Sequence, residues 1–491
     1  MRLTALELTN FKNVRYGRIA LSAGASGNRA EGADIIGIYG QNGSGKTSVI
    51  AALFILKTLF QGDSLSEDMV EDCIAAGSET FSIACEGLFE APAGEKVPWR
   101  YEVSVGRGEK GYCVVLAEKV ACKRYLTSRS NMATFFDYRR DMNGSFEIAP
   151  KTFWSSLDSF HKSLATDFAV AQALAVEKGC SLFFGSALRG AIRAAVDRYA
   201  GDEDAGEVND DDARADVAFT KKGLELFDSY AFYIFAMQSQ LWLFAIKNMV
   251  VLPPSNQVYS IIDRLPIFSH EGDAGFCADA CINVDLTQVS TVDLKMRESL
   301  GRTIDTIDCV LGALVPGLSV SVRSLGTMLL ENGDEGDRIE IVATRGDTTV
   351  PLRCESEGIK RLVSVLNLLV DVYANPDACV AIDELDAGIF EYLLGEILQV
   401  LEEHGKGQLI FTAHNLRPLE TISKNSIVFT TTNPDNRYIP FKGHKTTNNL
   451  RDQYLRAVYL GGQDEEVYAP TSKFAIDNAF YEAGITYEEA R

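Results

Sequence analysis

The run Gly40-Gln41-Asn42-Gly43-Ser44-Gly45-Lys46-Thr47-Ser48 contains the spacing G-x-x-x-x-G-K-[ST]. Glycines at those positions let backbone N–H groups curl round a phosphate, Lys46 can reach the β- and γ-phosphates of a nucleotide, and Thr47 offers a hydroxyl to Mg²⁺. The apolar run DIIGIYG precedes the loop and QNGSGKTSVIAALFILKTLF carries it into a helix-like apolar run, the strand, loop, helix order of a phosphate site. ATP and Mg²⁺ are the expected ligands, with Gly40, Asn42, Gly43, Ser44, Gly45, Lys46, Thr47 and Ser48 around the nucleotide. A plain glycine turn at a helix start would leave Lys46 unexplained.

Further along, the apolar run CVAI (379–382) ends in Asp383-Glu384. A buried strand that delivers two carboxylates at its C-terminal end suits a Walker B strand: Asp383 would hold the Mg²⁺ hydration shell, and Glu384 would polarise the attacking water. QLIFT (408–412) is a second buried strand and leads to His414, where a γ-phosphate-sensing histidine would sit, a structural histidine being the other reading. In CESEGIKRL (354–362), Ile359, Leu362, Val363, Leu366, Leu369 and Val370 follow helical spacing, so a helix starts near 357 with Ser356 as its N-cap. Gly358 in the first turn costs helix stability, so something is expected to approach the backbone there. A helix N-terminus carrying a serine and a glycine also suits an anion.

These residues need elements to hold them. Residues 2–9 and 17–21 read as short strands, and several β-rich pieces between 80 and 150 read as an antiparallel layer. Residues 152–250 turn helical with many aromatics, 318–352 are β-rich again, and from 359 helix (359–373), strand (378–383), helix (388–404) and strand (408–412) alternate, which predicts an α/β class with a parallel sheet. YAFYIFAMQSQLWLFAI (230–246) is short for a membrane span and carries Gln238, Ser239 and Gln240 at its centre, so a core or interface helix is expected there and no membrane contact. The acidic block 201–216 reads as a solvated loop or as a docking site for basic partners.

With 491 residues, 46% of them hydrophobic, the chain can form two or more cores. Its 47 basic and 68 acidic residues give a net charge of −21, which opposes non-specific wrapping by nucleic acid and favours protein partners. Ten cysteines without a C-x-x-C pair, beside only five histidines, read as reduced thiols of a cytoplasmic protein and not as a metal site. The start, MRLTALELTNFKN, alternates polar and apolar residues unlike a signal peptide.

Taken in order, LTALELTNFKNV, the P-loop, a long intervening stretch, SEGIKRL, AIDELDAG and FTAHN resemble the ABC-type ATPases of the SMC, RecF and OLD group. Within it they are most similar to compact ATPases of bacterial anti-phage and abortive-infection systems, such as RloA-like proteins and the ATPase subunit of the PARIS system. The resemblance covers roughly residues 1–60 and 350–460. It implies an ABC-type P-loop ATPase head with a mixed sheet and an antiparallel β layer, interrupted by an inserted, mainly helical domain. The expected divisions are 1–150 and 301–447 for the two parts of the head, 151–300 for the insertion and 448–491 for a C-terminal helical tail.

The resemblance also implies roles. Ser356-Glu357-Gly358 would be the signature that caps ATP held by another subunit of a head-to-tail dimer, Asp386-Ala387-Gly388 the D-loop at that contact, and His414 the switch histidine. Glu355 and Glu357 depart from the S-G-G of many ABC proteins. The Q-loop glutamine stays open among Gln172, Gln238 and Gln240, and packing is the expected role of Arg451, Tyr454 and Tyr459 in the tail helix. Two functions follow. One is a homo-oligomeric sensor and scaffold that controls a separate effector when a phage protein or DNA binds; the 77 residues after His414 are too few for a Toprim-type nuclease, so a nuclease would be a separate chain. The other is a RecF- or SMC-like repair ATPase that grips DNA between ATP-closed heads.

Overall fold

The computed structural model describes residues 1–22, 32–90, 96–107, 113–123, 132–140, 146–150, 164–200, 230–252, 264–268, 281–330, 333–440 and 449–489. The acidic block 201–216 lies outside them. In chain order, β1 (Arg2–Phe11), β2 (Val14–Ala20) and β3 (Asp34–Tyr39) lead to α1 (Lys46–Gln61) and the short α2 (Glu67–Glu71). Then come β4 (Thr80–Glu90), β5 (Lys96–Arg107), β6 (Cys113–Lys123), β7 (Met132–Arg140), β8 (Phe146–Ala149), α3 (Leu164–Lys178), α4 (Ser186–Ala200), α5 (Tyr230–Leu243) and β9 (Met249–Leu252). β10 (Arg264–Phe268), β11 (Cys281–Asp285), β12 (Ser290–Asp293), α6 (Leu294–Leu314), β13 (Leu318–Leu329), β14 (Glu335–Arg345) and β15 (Thr348–Pro351) follow. The last third holds α7 (Glu357–Ala374), β16 (Cys379–Ile382), α8 (Glu391–His404), β17 (Gln408–Thr412), α9 (Pro418–Thr421), β18 (Ile427–Thr430), β19 (Tyr438–Pro440), α10 (Leu450–Leu460) and α11 (Lys473–Glu489).

The expected α/β class with two layers is what the chain forms. A six-stranded sheet runs β19-β18-β3-β17-β16-β9, parallel except at β19, and a seven-stranded antiparallel sheet runs β2-β1-β4-β5-β6-β7-β8. β3 is buried at every position, as a strand covered on both faces must be, and its residues alternate between two cores. Ile36 and Ile38 join α1 and the antiparallel sheet, whereas Ile35 joins α7 and α8 on the opposite face. Helix α1, apolar nearly all round, sits between the two sheets with twelve of its sixteen residues buried.

Four strands, β9 to β12, lie within the 151–300 stretch where a mainly helical insertion was expected, and β9 belongs to the central sheet. Residues 249–252 pair in parallel with β16, from Met249↔Cys379 to Leu252↔Ile382, and form an edge of the central sheet. The run 230–246 is helical as anticipated, and buried Gln238 donates to the Phe183 carbonyl. Among the described residues no helix is long and apolar enough to cross a membrane.

Candidate functional site

Because β3, β16 and β17 run parallel and adjacent, their C-terminal ends deliver the P-loop, Asp383-Glu384 and His414 to one edge of the sheet. Gly43 and Gly45 take φ of 75° and 92°, left-handed values that strain any side chain. Gly40 is pressed against β18, where an added Cβ would stand 1.7 Å from Thr430 Oγ1. The same region braces the loop: Ser44 Oγ bonds Thr430 Oγ1, and the Tyr438 hydroxyl donates to the Gly45 carbonyl at 2.8 Å. Helix α1 starts at Lys46 without a side-chain cap, and Gly45 to Ser48 line a cleft of about 440 Å³. An uncapped N-terminus of this kind attracts anions.

Lys46 Nζ donates to the carbonyls of Gly40 (2.9 Å) and Gln41 (3.2 Å). Burial lowers its pKa, and the carboxylates of Asp383, Glu384 and Asp386 act the other way. Thr47 Oγ1 lies 3.1 Å from Asp383 Oδ2, so the hydroxyl and carboxylate expected to share a Mg²⁺ do converge. Asp383 is buried and held by the Thr412 hydroxyl, which donates to its Oδ1 at 2.6 Å and accepts the Glu384 N–H at 2.8 Å. Glu384 lies on the cleft wall with φ of 48°, a turn that carries it out of the strand direction. His414 lines the cleft too, and its N–H and that of Asn415 donate to Asp386 Oδ2 at 2.9 and 2.8 Å. A hydroxyl, a carboxylate, an ammonium and an uncapped helix N-terminus around one cleft are a donor set that suits a Mg²⁺-bound nucleotide phosphate.

Of the expected residues, Asn42, Gly43, Gly45, Lys46, Thr47, Ser48, Glu384 and His414 line the cleft. Gly40, Ser44 and Asp383 support it from behind. Ser356 and Gly358 do not border it. Ser356 is the N-cap of α7, its Oγ accepting the Ile359 N–H at 3.4 Å. What approaches Gly358 is the chain's own Gly388 carbonyl oxygen, only 2.3 Å from where a Cβ would stand. The two acids that break the S-G-G pattern have basic partners: Glu355 meets Arg345 through two contacts of 3.3 Å, and Glu357 meets Lys360 at 2.5 Å.

Sequence reasoning passes over several residues here. Lys12 and Asn13, in the turn between β1 and β2, line the cleft, and Asn13 donates to the Gly43 carbonyl. Arg361, buried in α7, donates to the carbonyls of Asp383 (3.3 Å) and Glu384 (3.4 Å), while burial lowers its pKa against the pull of Glu384, Asp383 and Asp386. None of the three candidate Q-loop glutamines borders the cleft. Gln172 bonds Tyr138, and Gln238 is buried against Phe183. The chain leaving Leu252, whose carbonyl accepts the Asp383 N–H at 3.1 Å, emerges beside Asp383; its continuation, 253–263, lies outside the described residues. In the tail, Tyr454 stacks on Phe429 at 4.8 Å and Arg451 pairs with Glu420, but Tyr459 is 80% exposed and does not pack.

No protein-family model matches the chain, and no curated protein does. Among solved structures, the chain is similar to an Smc head domain with a coiled coil and joint from Pyrococcus yayanosii, at 13% identity, TM-score 0.40, over 92% of this chain and 99% of that one. An Smc head domain with an extended coiled coil bound to the C-terminal domain of ScpA, from Pyrococcus furiosus, gives 13%, 0.37, 89% and 95%. The SMC head domain from Thermotoga maritima gives 14%, 0.32, 90% and 100%.

Proposed function

We propose that the chain is an ABC-type ATPase that binds Mg²⁺ and ATP in this cleft and hydrolyses the nucleotide. The observation that carries the reading is the convergence of Lys46, of Thr47 with Asp383 at 3.1 Å, and of exposed Glu384 at one sheet edge. The P-loop N–H groups and Lys46 would hold the phosphates, and Thr47 with Asp383 would hold the metal, which would supply positive charge to neutralise the transferring phosphoryl group. Glu384 would take the proton of the attacking water, and His414, which lines the same cleft, would sense the γ-phosphate. Ser356 and Gly358 cap the nucleotide of a second copy in a head-to-tail dimer, with Asp386 to Gly388 at the contact. Lys46→Ala should abolish ATP binding in calorimetry, and Glu384→Gln should keep binding but stop phosphate release. Normal turnover by the Glu384 variant would remove it as the base.

We further read this ATPase as the cytoplasmic sensor and scaffold of an anti-phage, abortive-infection system that controls a separate effector, a Toprim-type nuclease being one candidate, in response to a phage protein or DNA. Its support is the order of the motifs and the net charge of −21, which suits docking proteins better than gripping DNA. Co-purification with a protein encoded by a neighbouring gene, and release of that protein on infection, would test it. DNA binding that is salt-dependent and tightens with ATP would instead favour a RecF- or SMC-like repair role.

A further inference from the structure

Helix α11 stands apart from both cores. Phe474, Phe480 and Tyr481 are 79%, 77% and 70% exposed, and with Ile476 and Ile485 they spread over more than one side of the helix. A helix apolar on several sides is normally covered, so its attachment to the head matters. That attachment is short. After α10, Val467 is buried, the Glu466 carbonyl accepts the Thr432 N–H at 2.8 Å, and the Glu465 carboxylate accepts from the amides of Asn433 (3.1 Å) and Asn436 (3.0 Å). Beyond these anchors the chain touches the P-loop itself: the Ala469 N–H donates to Gln41 Oε1 at 3.0 Å.

Gln41 is tied to the phosphate machinery through its carbonyl. That oxygen accepts from Lys46 Nζ at 3.2 Å, from Ser44 Oγ at 2.6 Å and from the Ser44 N–H at 3.2 Å. We infer that residues 465–469 are a strap through which nucleotide binding at the P-loop controls α11. A phosphate competes for the Lys46 ammonium, since a charged acceptor outbids a neutral carbonyl. Gln41 then loses the charged donor on its carbonyl and shifts, and its side chain gives up the Ala469 N–H. The anchors at Glu465 and Val467 stay, whereas residues 468–472 and α11 are released from the P-loop. Linkage requires the converse: whatever ATP loosens must, while fastened, weaken ATP. The inference rests on the ATP reading and adds the regulation of that same site.

The test uses the full chain carrying Glu384→Gln, with hydrogen exchange followed by mass spectrometry with and without Mg²⁺ and ATP. Exchange across 468–486 should rise on saturation by ATP. Ala469→Pro removes the donor and leaves the cleft residues intact; its ATP affinity by calorimetry should tighten about two- to tenfold, the worth of one neutral hydrogen bond. Truncation after Tyr468 removes the same donor without asking a proline to fit, and must give the same tightening. Unchanged exchange with ATP bound, or wild-type affinity in both variants, overturns the strap and leaves the ATP reading standing. Failure of the unmodified chain to bind ATP overturns both.

Discussion

Replacing Gly358 by alanine separates what that glycine does within its own chain from what a signature does across a dimer. The new methyl would stand 2.3 Å from the Gly388 carbonyl oxygen, about 1 Å inside the ~3.3 Å at which carbon and oxygen ordinarily meet. The obstacle is backbone, and Gly388 already sits at φ 75°, so the loop 386–388 has to move as a unit. Such overpacking costs about 3 kcal/mol at the upper end of its range, against about 1 kcal/mol that alanine gains over glycine in a helix. The net loss of about 2 kcal/mol should lower the midpoint of thermal unfolding by a few degrees, with no nucleotide present. The moving loop carries Asp386, which fixes the N–H groups of His414 and Asn415, so turnover should fall as well. ATP affinity should hold, because Gly358 does not border the chain's own cleft. A variant as stable as the wild type in nucleotide-free buffer would refute this reasoning and leave Gly358 only a role between subunits.

Arg361→Ala should cost about 1–3 kcal/mol in chemical denaturation, because it leaves the buried Asp383 carbonyl without this donor and removes the packing of the side chain, while the Glu384 carbonyl keeps the Ala387 N–H at 3.0 Å; a loss below about 0.5 kcal/mol would contradict the role given to Arg361. Thr412→Val keeps the shape and deletes the hydroxyl that joins Asp383 to the Glu384 N–H; turnover should fall about 10- to 100-fold with ATP binding retained, and full activity would show that the bridge is dispensable. Glu340 is held below the ordinary carboxylate range by hydrogen bonds from Arg323 and then Arg353. Its contribution to stability is complete above the unfolded value of about 4.3 and is lost as pH falls through the lower folded value. The melting temperatures of wild type and Glu340→Gln should therefore differ at neutral pH and converge in strong acid, and a gap that persists there would rule out the ion pairs as its cause.

What can be read in the sequence here is what lies in one unbroken string beside a strand. The P-loop, Asp383-Glu384 and His414 each follow a buried run, and the parallel sheet does no more than set those runs side by side. Gly358 shows the limit: its cost to a helix is visible in CESEGIKRL, but the atom that demands it belongs to residue 388. The role of Glu355 is hidden from the sequence for a similar reason, since its partner Arg345 ends β14. Lys12 and Asn13 reach the cleft only because the antiparallel sheet folds over α1, and nothing in NFKN announces that. β9 escaped notice because four apolar residues at the end of a long apolar helix carry no period of their own.

The position of β3 has a consequence for how the protein is made. Its neighbours β17 and β18 are synthesised about 370 and about 390 residues later, roughly 20–75 s at ordinary elongation rates. Throughout that time a mostly apolar strand and the loop behind it have no sheet to join, while β1, β2 and β4 to β8 can already pair with one another around α1. The nascent chain therefore passes through a stage with one finished layer and one exposed ribbon.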